Sequence, residues 1–227
     1  ARREMGFLVP SKGYEYATIK GHKCAIIVGD DLSRERDFDQ SVETVISINA
    51  RKYGKGTMTY RYEMMRNLAF VESKNLVLVN QVGGSTDIVY DGTSGALNSR
   101  GELVLMMKNF EEDFQIFDTK ASARPISIPS TYNDRTRLVY EAARCGLRDF
   151  FRKNGYRKAS IGLSGGIDSA VVACLAADAL GRENIRALLL PSQFSSDHSV
   201  EDAKKLAENL GIEYNVIPIT EIYTSVV

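Results

Sequence analysis

The stretch Ala159-Ser-Ile-Gly-Leu-Ser-Gly-Gly-Ile-Asp-Ser-Ala170 decides how the second half of this chain folds. Ile161 and Leu163 belong to a short apolar run that breaks into Ser164-Gly165-Gly166. From Asp168 to Leu180 there is neither glycine nor proline, and Gly181 follows. The pattern reads as strand, tight glycine turn, helix. Amides in the first turn of a helix have no acceptor within it, and the dipole is positive there, so this end favours an anion. Gly165 and Gly166 let the backbone approach that anion and accept φ > 0 where needed. Ser164 and Ser169 add hydroxyl donors. Asp168 would repel a phosphate, and makes sense as the ligand of a Mg²⁺ ion that bridges to phosphates.

The rest of the second half is regular. A strand over Lys158–Leu163 leads through the turn into a helix over Asp168–Leu180. A second strand, Ile185–Leu190, stops at Pro191, and Ser192–His198 is a polar loop. Ser199 with Asp202 has capping-box spacing. The helix it starts turns Val200, Ala203, Leu206, Ala207 and Leu210 inward and ends at Gly211, and Tyr214–Ile219 is a third strand. This β-α-β-α-β order predicts a parallel sheet with right-handed crossovers. Ligands of such sheets sit at the carboxyl ends of the strands. Ser164-Gly165-Gly166 and Pro191-Ser192 both lie there, so one nucleotide can touch both. Three parallel strands alone leave an exposed edge, so more sheet is expected beyond this sequence.

The first half is less regular. Strands are expected at Tyr14–Ile19, Cys24–Val28, Val42–Ile48 and Asn75–Asn80, the apolar runs among them reading as buried on both faces. Thr57–Ser73 has helical spacing through Met58, Tyr62, Met65, Leu68 and Ala69, with Thr57 or Thr59 as cap. Gly83-Gly84 reads as a turn. Ile88–Tyr90, Gly95–Leu97, Leu103–Met107 and Phe114–Phe117 read as short strands, with a hairpin turn at Asn98-Ser-Arg-Gly101. Pro125 and Pro129 mark a linker. An amphipathic helix follows over Leu138–Lys153, with Val139, Ala142, Ala143, Leu147, Phe150 and Phe151 on its inner side and Gly155 after its end. The domains expected are 1–120, a linker 121–135, and 136–227.

Composition narrows the classes. The 227 residues are 44% hydrophobic and 26% charged with a formal net charge of zero, as in a soluble globular protein, which disfavours a nucleic-acid partner. No apolar stretch approaches the ~20 residues of a membrane span. The three cysteines, Cys24, Cys145 and Cys174, are far apart, supporting neither a disulfide framework nor a zinc site, and a cytoplasmic setting fits. The chain opens Ala-Arg-Arg-Glu without Met, and is expected to be a piece of something longer.

The turn lacks the Gly-Lys-Ser/Thr ending of a Walker loop. Ser-Gly-Gly-x-Asp-Ser instead resembles the pyrophosphate loop of the ATP pyrophosphatases. With Leu190-Pro-Ser192, Ser195-Ser-Asp-His-Ser199, Asp202-Ala203 and Leu210-Gly211, it resembles NAD⁺ synthetase. Ahead of it, Val79-Asn-Gln-Val-Gly-Gly84, Val89-Tyr-Asp-Gly92, Phe110-Glu-Glu-Asp113, and Ile48-Asn-Ala50 with Gly54-Lys55 resemble the nitrilase-like glutaminase domain fused to glutamine-dependent NAD⁺ synthetases. The resemblance spans nearly the whole chain. It implies an α/β protein: the C-terminal part of a nitrilase-like α-β-β-α sandwich, then the start of a doubly wound parallel-sheet domain of the adenine nucleotide α-hydrolase kind.

The family implies a ligase that forms a C–N bond. The nicotinate carboxylate of deamido-NAD⁺ attacks the α-phosphate of ATP, pyrophosphate leaves, and ammonia displaces AMP to give NAD⁺. By resemblance, Gly162, Leu163, Ser164, Gly165, Gly166, Ile167, Asp168 and Ser169 hold ATP. Pro191 and Ser192 lie near its adenosine, and Asp168 takes Mg²⁺. Ser196 and His198 are weaker candidates, since a histidine beside a helix cap is more often structural. ATP, Mg²⁺, deamido-NAD⁺ and ammonia or glutamine are the small molecules implied, with a homo-oligomer and neither membrane nor nucleic acid as partner. The family's glutaminase uses Glu, Lys and a nucleophilic Cys in a pattern like Ile-Cys-Glu-Asp. Here the aligned stretch is Val28-Gly29-Asp30-Asp31, so Gly29 stands at the nucleophile's place. Cys24 lies earlier, inside the strand. The segment supplying the Glu and Lys would precede residue 1, and a Ser expected near Ala50-Arg51 for holding glutamine is missing. Lys55 is left as a glutamine contact. The alternatives are another ATP pyrophosphatase, of tRNA-thiolating or GMP-forming type, and a scaffold subunit without catalysis. Scattered cysteines and zero net charge weigh against the tRNA enzyme.

Overall fold

The computed structural model describes residues 14–29, 38–120, 124–220 and 224. By its internal contacts the chain forms two units, Ala1–Gly83 with Ile88–Leu138, and Gly84–Asp87 with Val139–Val227.

The first unit is built on a six-stranded sheet. Its strands are β1 (Glu15–Ile19), β2 (His22–Val28), β3 (Thr44–Asn49), β4 (Asn75–Asn80), β7 (Gly95–Leu97) and β8 (Leu103–Met106), in the order β1-β2-β3-β4-β7-β8. β2, β3 and β4 run parallel, and the outer pairings are antiparallel. The helix α1 (Thr57–Glu72) joins β3 to β4. Its Met58, Tyr62, Met65 and Ala69 pack on Ala25, Ile27, Val45, Leu76, Leu78 and Leu97. The opposite sheet face has rows Ile26-Ile46-Val77 and Val28-Ile48-Val79, set side by side by the register. Val28, Ile48 and Val79 on it are exposed, so the run expected to be buried on both faces is covered on one. An open apolar face of this kind is what an α-β-β-α sandwich covers with a second sheet. A cavity of about 320 Å³ opens on the same side, between Val77, Val79, Leu105 and Phe114.

Two expectations for this half fail. Phe114–Phe117 forms no strand: Phe114 and Ile116 are each 83% exposed, and the alternation has no ladder to join. Gly83-Gly84 lies inside β5 (Val82–Ser85), which pairs with β6 (Ile88–Asp91), and the positive φ of the turn between them falls at Thr86. The start of α1 also differs. Gly56 occupies the N-cap with φ +74, while the Thr57 hydroxyl bonds back to both backbone groups of Gly54.

In the second unit β9 (Ala159–Gly162), β10 (Ile185–Leu189) and β11 (Glu213–Val216) form a parallel sheet in the order β11-β10-β9. The crossovers are α3 (Ile167–Leu180) and α4 (Asp197–Leu210). Ala173, Ala176, Ala203 and Ala207 are buried with Leu163, Ile185, Ala187, Leu189 and Ile212. These small side chains let both helices lie close to the sheet. The sheet, with β9 ending at the glycine turn, is the parallel α/β start that the sequence implies.

The helix α2 (Arg135–Asn154) buries Ala142, Cys145 and Asp149, whereas Val139 and Phe150, expected inside, are about half exposed. Asp149 is the unexpected member. Its Oδ2 accepts the Gly84 N–H at 2.7 Å and its Oδ1 the Arg148 Nε–H at 3.2 Å, with Arg152 Nη2 at 3.4 Å. Lys153 donates to the Gly84 carbonyl. A Cβ on Gly84 would stand 3.0 Å from Gly146 Cα, so glycine is needed here for close approach to the helix rather than for turning.

Candidate functional site

The turn after β9 stands where the sequence places it. Gly162 ends the strand beside Leu188 of β10, and the Leu163 N–H donates to the Leu188 carbonyl at 2.9 Å. Leu163 is buried and anchors the turn, while Ser164, Gly166, Ile167 and Asp168 are exposed. Gly166 is the N-cap of α3 and provides no side-chain cap. Ala170 donates to the Gly166 carbonyl at 3.1 Å, opening the helical ladder, so the amides of Ile167, Asp168 and Ser169 precede any acceptor within the helix. With the dipole, these amides form the anion-favouring end expected there.

The hydroxyls are engaged within the turn. Ser169 Oγ donates to the Gly166 carbonyl at 2.9 Å and accepts the Ser164 N–H at 3.3 Å. Ser164 Oγ accepts the Gly166 N–H at 3.3 Å and lies 3.0 Å from Ser169 Oγ. The two serines therefore stiffen the turn, and an incoming anion must compete for their protons. Asp168 is exposed and makes no hydrogen bond among the described residues.

Gly165 carries the tightest constraint. Its φ is +82, and a Cβ there would lie 2.2 Å from the Ser199 carbonyl oxygen. The turn thus rests on the first turn of α4, and the starts of α3 and α4 are brought together. The cap of α4 is Ser196, whose Oγ accepts the Ser199 N–H at 3.2 Å and lies 2.7 Å from Ser199 Oγ. That corrects the capping box expected at Ser199–Asp202. Pro191 and Ser192 follow β10 on the same sheet edge. The Pro191 carbonyl accepts the Ile219 N–H at 2.9 Å, and the Ser192 N–H donates to Ser195 Oγ at 3.0 Å. His198 is exposed on the first turn of α4. Sequence reasoning missed the contact between Gly165 and Ser199, because it joins two segments far apart in the chain.

A model of the NAD synthase family matches residues 139–227. The chain is 37% identical over 243 residues to the glutamine-dependent NAD(+) synthetase of Aquifex aeolicus, which covers 90% of this chain and 43% of that protein. It is 35% identical to the synthetase of the same name from Synechocystis, over 92% of this chain and 40% of the relative. Residues 139–227 carry an NAD synthase domain, and nearly the whole chain is similar to part of the glutamine-dependent NAD⁺ synthetases. It spans 43% and 40% of the lengths of these two relatives. Among solved structures, the glutamine-dependent NAD⁺ synthetase of Acinetobacter baumannii in complex with ADP superposes with a TM-score of 0.83 at 29% identity, over 98% of this chain and 44% of that one. The family member from Cytophaga hutchinsonii, with a TM-score of 0.76 at 17% identity, shares the fold over 94% of this chain and 41% of its own. Both structural matches run through the two units.

The first unit's counterpart edge is formed by the carboxyl ends of β2, β3 and β4. Gly29 follows β2 with φ +63, and a Cβ there would meet nothing within 4 Å. Asn80, at the end of β4, accepts the Arg51 N–H at 2.9 Å, and its amide donates to Asp91 Oδ1 at 3.2 Å and the Gly92 carbonyl at 3.0 Å. Asp91 in turn accepts from Arg61 Nη2 on both of its carboxylate oxygens, at 2.9 and 3.1 Å, with side chains 3% and 1% exposed. This buried network holds the loop that runs from Arg51 to Lys55, and Lys55 is exposed in it. Cys24 is buried within β2, its thiol donating to the His22 carbonyl at 3.8 Å. Burial, then the nearby Glu43 charge, pushes that thiol's pKa up. All three cysteines are free thiols. Among the described residues there is no cluster of three or more His, Cys, Asp or Glu suited to a metal, and no helix long and apolar enough to cross a membrane.

Proposed function

We propose that this chain is part of an enzyme that uses ATP to amidate deamido-NAD⁺ to NAD⁺, with the second unit holding ATP. One observation carries this reading: the uncapped start of α3 opens at the carboxyl edge of the sheet, beside Pro191-Ser192. The ADP complex of the Acinetobacter relative supports nucleotide binding by such a protein. Amides of Ile167, Asp168 and Ser169 meet the pyrophosphate portion, and Gly165 and Gly166 allow its close approach. Ser164 and Ser169 exchange their mutual bonds for phosphate oxygens. Pro191 and Ser192 border the adenosine.

The chemistry needs no covalent nucleophile from the protein. The nicotinate carboxylate displaces pyrophosphate from the α-phosphorus, and the amine then displaces AMP. The chain's part is to align the reactants and offset charge that grows on the departing pyrophosphate. Asp168 fits a Mg²⁺ ion. Nucleotide-bound Mg²⁺ takes one or two protein carboxylates plus phosphate oxygens, and this carboxylate is exposed with no hydrogen bond to give up among the described residues. When bound, the ion neutralises phosphate charge. A cytoplasmic homo-oligomer with no nucleic-acid or membrane partner is the setting this reading carries, and three free thiols suit a reducing compartment.

The test is NAD⁺ formation by the protein of the complete reading frame, given ATP, Mg²⁺, deamido-NAD⁺ and ammonium. Asp168→Asn should lower turnover by about 10²–10³-fold. Its melting temperature should not change, because the carboxylate bonds to nothing else among the described residues. Turnover equal to the parent's refutes the role given to Asp168. No NAD⁺ from the parent protein refutes the ligase reading.

A further inference from the structure

We infer that the amide nitrogen comes from free ammonia, and that the first unit is a glutaminase fold that no longer attacks glutamine. This rests on the ligase reading above, and it names the nitrogen donor.

Gly29 is the first ground. It sits at the carboxyl end of β2, in the parallel group β2-β3-β4, which is where an α/β sheet presents reacting groups. Its φ of +63 lies in the left-handed region that glycine enters without strain. A side chain would have room, since a Cβ there meets nothing within 4 Å, yet the residue carries none. The place that the aligned stretch Val28-Gly29-Asp30-Asp31 gives the nucleophile therefore carries no reacting side chain.

Among the described residues no neighbouring thiol replaces it. Cys24 lies within β2, 5% exposed, its thiol spent on a backbone carbonyl. Cys145 and Cys174 are on α2 and α3. Two described hydroxyls near this edge, Ser47 and Ser94, are also occupied. Ser47 is fully buried and accepts the Asn49 amide at 2.8 Å, and Ser94 accepts the Asn80 N–H at 2.9 Å.

The third ground is what has been kept. Arg61, Asp91, Asn80 and Thr93 are all buried and joined by hydrogen bonds, with Arg61 Nε left unpartnered, and Asn80 ties them to Arg51 of the Arg51–Lys55 loop. Breaking a buried charge pair is strongly destabilising, so the unbroken pair keeps this edge of the unit folded. The unit has lost one reacting group while keeping its architecture.

The step then needs no acyl-enzyme. The nitrogen lone pair of ammonia forms a bond to the acyl carbon of the nicotinate adenylate. The bond from that carbon to the AMP oxygen breaks, AMP leaves with the electron pair, and one proton passes to solvent.

The intact protein is given ATP, Mg²⁺, deamido-NAD⁺, ¹⁵N-ammonium and unlabelled glutamine together, and the NAD⁺ formed is weighed. The nicotinamide nitrogen is expected to be ¹⁵N throughout, with glutamine alone at least about 100-fold slower than ammonium. Independently of any ligase activity, glutamine is incubated with the protein and glutamate is measured. The protein is also exposed to 6-diazo-5-oxo-norleucine, which alkylates glutaminase nucleophiles. Neither glutamate nor an adduct is expected. Unlabelled nitrogen in NAD⁺, glutamate release or an adduct overturns the inference. Failure of NAD⁺ formation with both donors sinks the ligase reading, and the glutamate and adduct measurements still decide the fate of the first unit.

Discussion

Replacing Gly165 with alanine puts one methyl group where the backbone of α4 already stands. The new Cβ would lie 2.2 Å from the Ser199 carbonyl oxygen, 2.8 Å from its carbon and 2.9 Å from its Cα. Even a weak C–H···O contact keeps carbon and oxygen about 3.3 Å apart, so roughly 1 Å of movement is required. The atoms in the way are main chain, held by the Ser196 cap, and cannot swing aside as a side chain would. The φ of +82 adds left-handed strain for a residue with a Cβ. Strain and overpacking together should cost about 2–5 kcal/mol. If the unit absorbs the cost as a whole, the melting temperature falls by at least several degrees. If instead the turn shifts off α4, the unit stays folded and ATP affinity drops by about 30-fold or more. Gly166→Ala is the control for stability. Its φ is −83, and its Cβ would stand 3.4 Å from Ser164 Oγ, an ordinary contact. It should melt within about 1 kcal/mol of the parent. Calorimetry of ATP binding and thermal unfolding of the free protein read both routes. A Gly165→Ala protein that melts with the parent and binds ATP as tightly refutes the contact between the turn and α4.

Arg61→Ala should lower unfolding free energy by about 3–5 kcal/mol by leaving Asp91 buried and uncompensated, whereas Arg100→Ala, at an exposed pair with Glu102, should cost under about 1 kcal/mol; denaturant midpoints compare them. Asp149→Asn should cost about 1.5–3 kcal/mol near neutrality by weakening the charge-assisted bonds to Gly84 and Arg148. Burial works against the Asp149 charge, but the Gly84 N–H, Arg148 and Arg152 outweigh it and hold the carboxyl below its usual pKa. A lowered folded-state pKa gives stability that is full above the unfolded value near 4 and is lost as pH falls through the folded one. The gap in melting temperature between parent and Asp149→Asn should accordingly close as pH is taken from 7 down below 4, and a gap that stays constant would refute the assignment.

The glycine turn and its flanking strand and helix were legible because local signals agree there: an apolar run, adjacent glycines, and an alanine-rich helix that begins at once. The central strands β2, β3 and β4 were legible for the same reason. Phe114–Phe117 misled because its alternation matches a strand, while pairing depends on a neighbour that sequence does not display. Gly83-Gly84 looked like a turn because turning is the commonest use of glycine, and only the approach of Gly146 shows the other use. The cap of α4 went to Ser199 because Asp202 completes a familiar spacing, yet Ser196 reaches the free amide first. Within the site, residue types could be read, but the closed hydrogen-bond circuit between Ser164 and Ser169 could not. It depends on backbone angles that no spacing rule encodes.

The clasp on Gly84 bears on how this molecule may be dissected. One helical turn of α2 grips both peptide groups of a residue that precedes it by more than half a hundred positions. A synthetase piece excised at the proline-rich stretch would be continuous in sequence yet incomplete in space, its inward-facing acid stripped of the backbone amide that solvates it. Such a piece would need a short Gly-Gly peptide added back in trans, or an apolar replacement at position 149, before its solubility could be taken as a measure of the ATP-binding half itself.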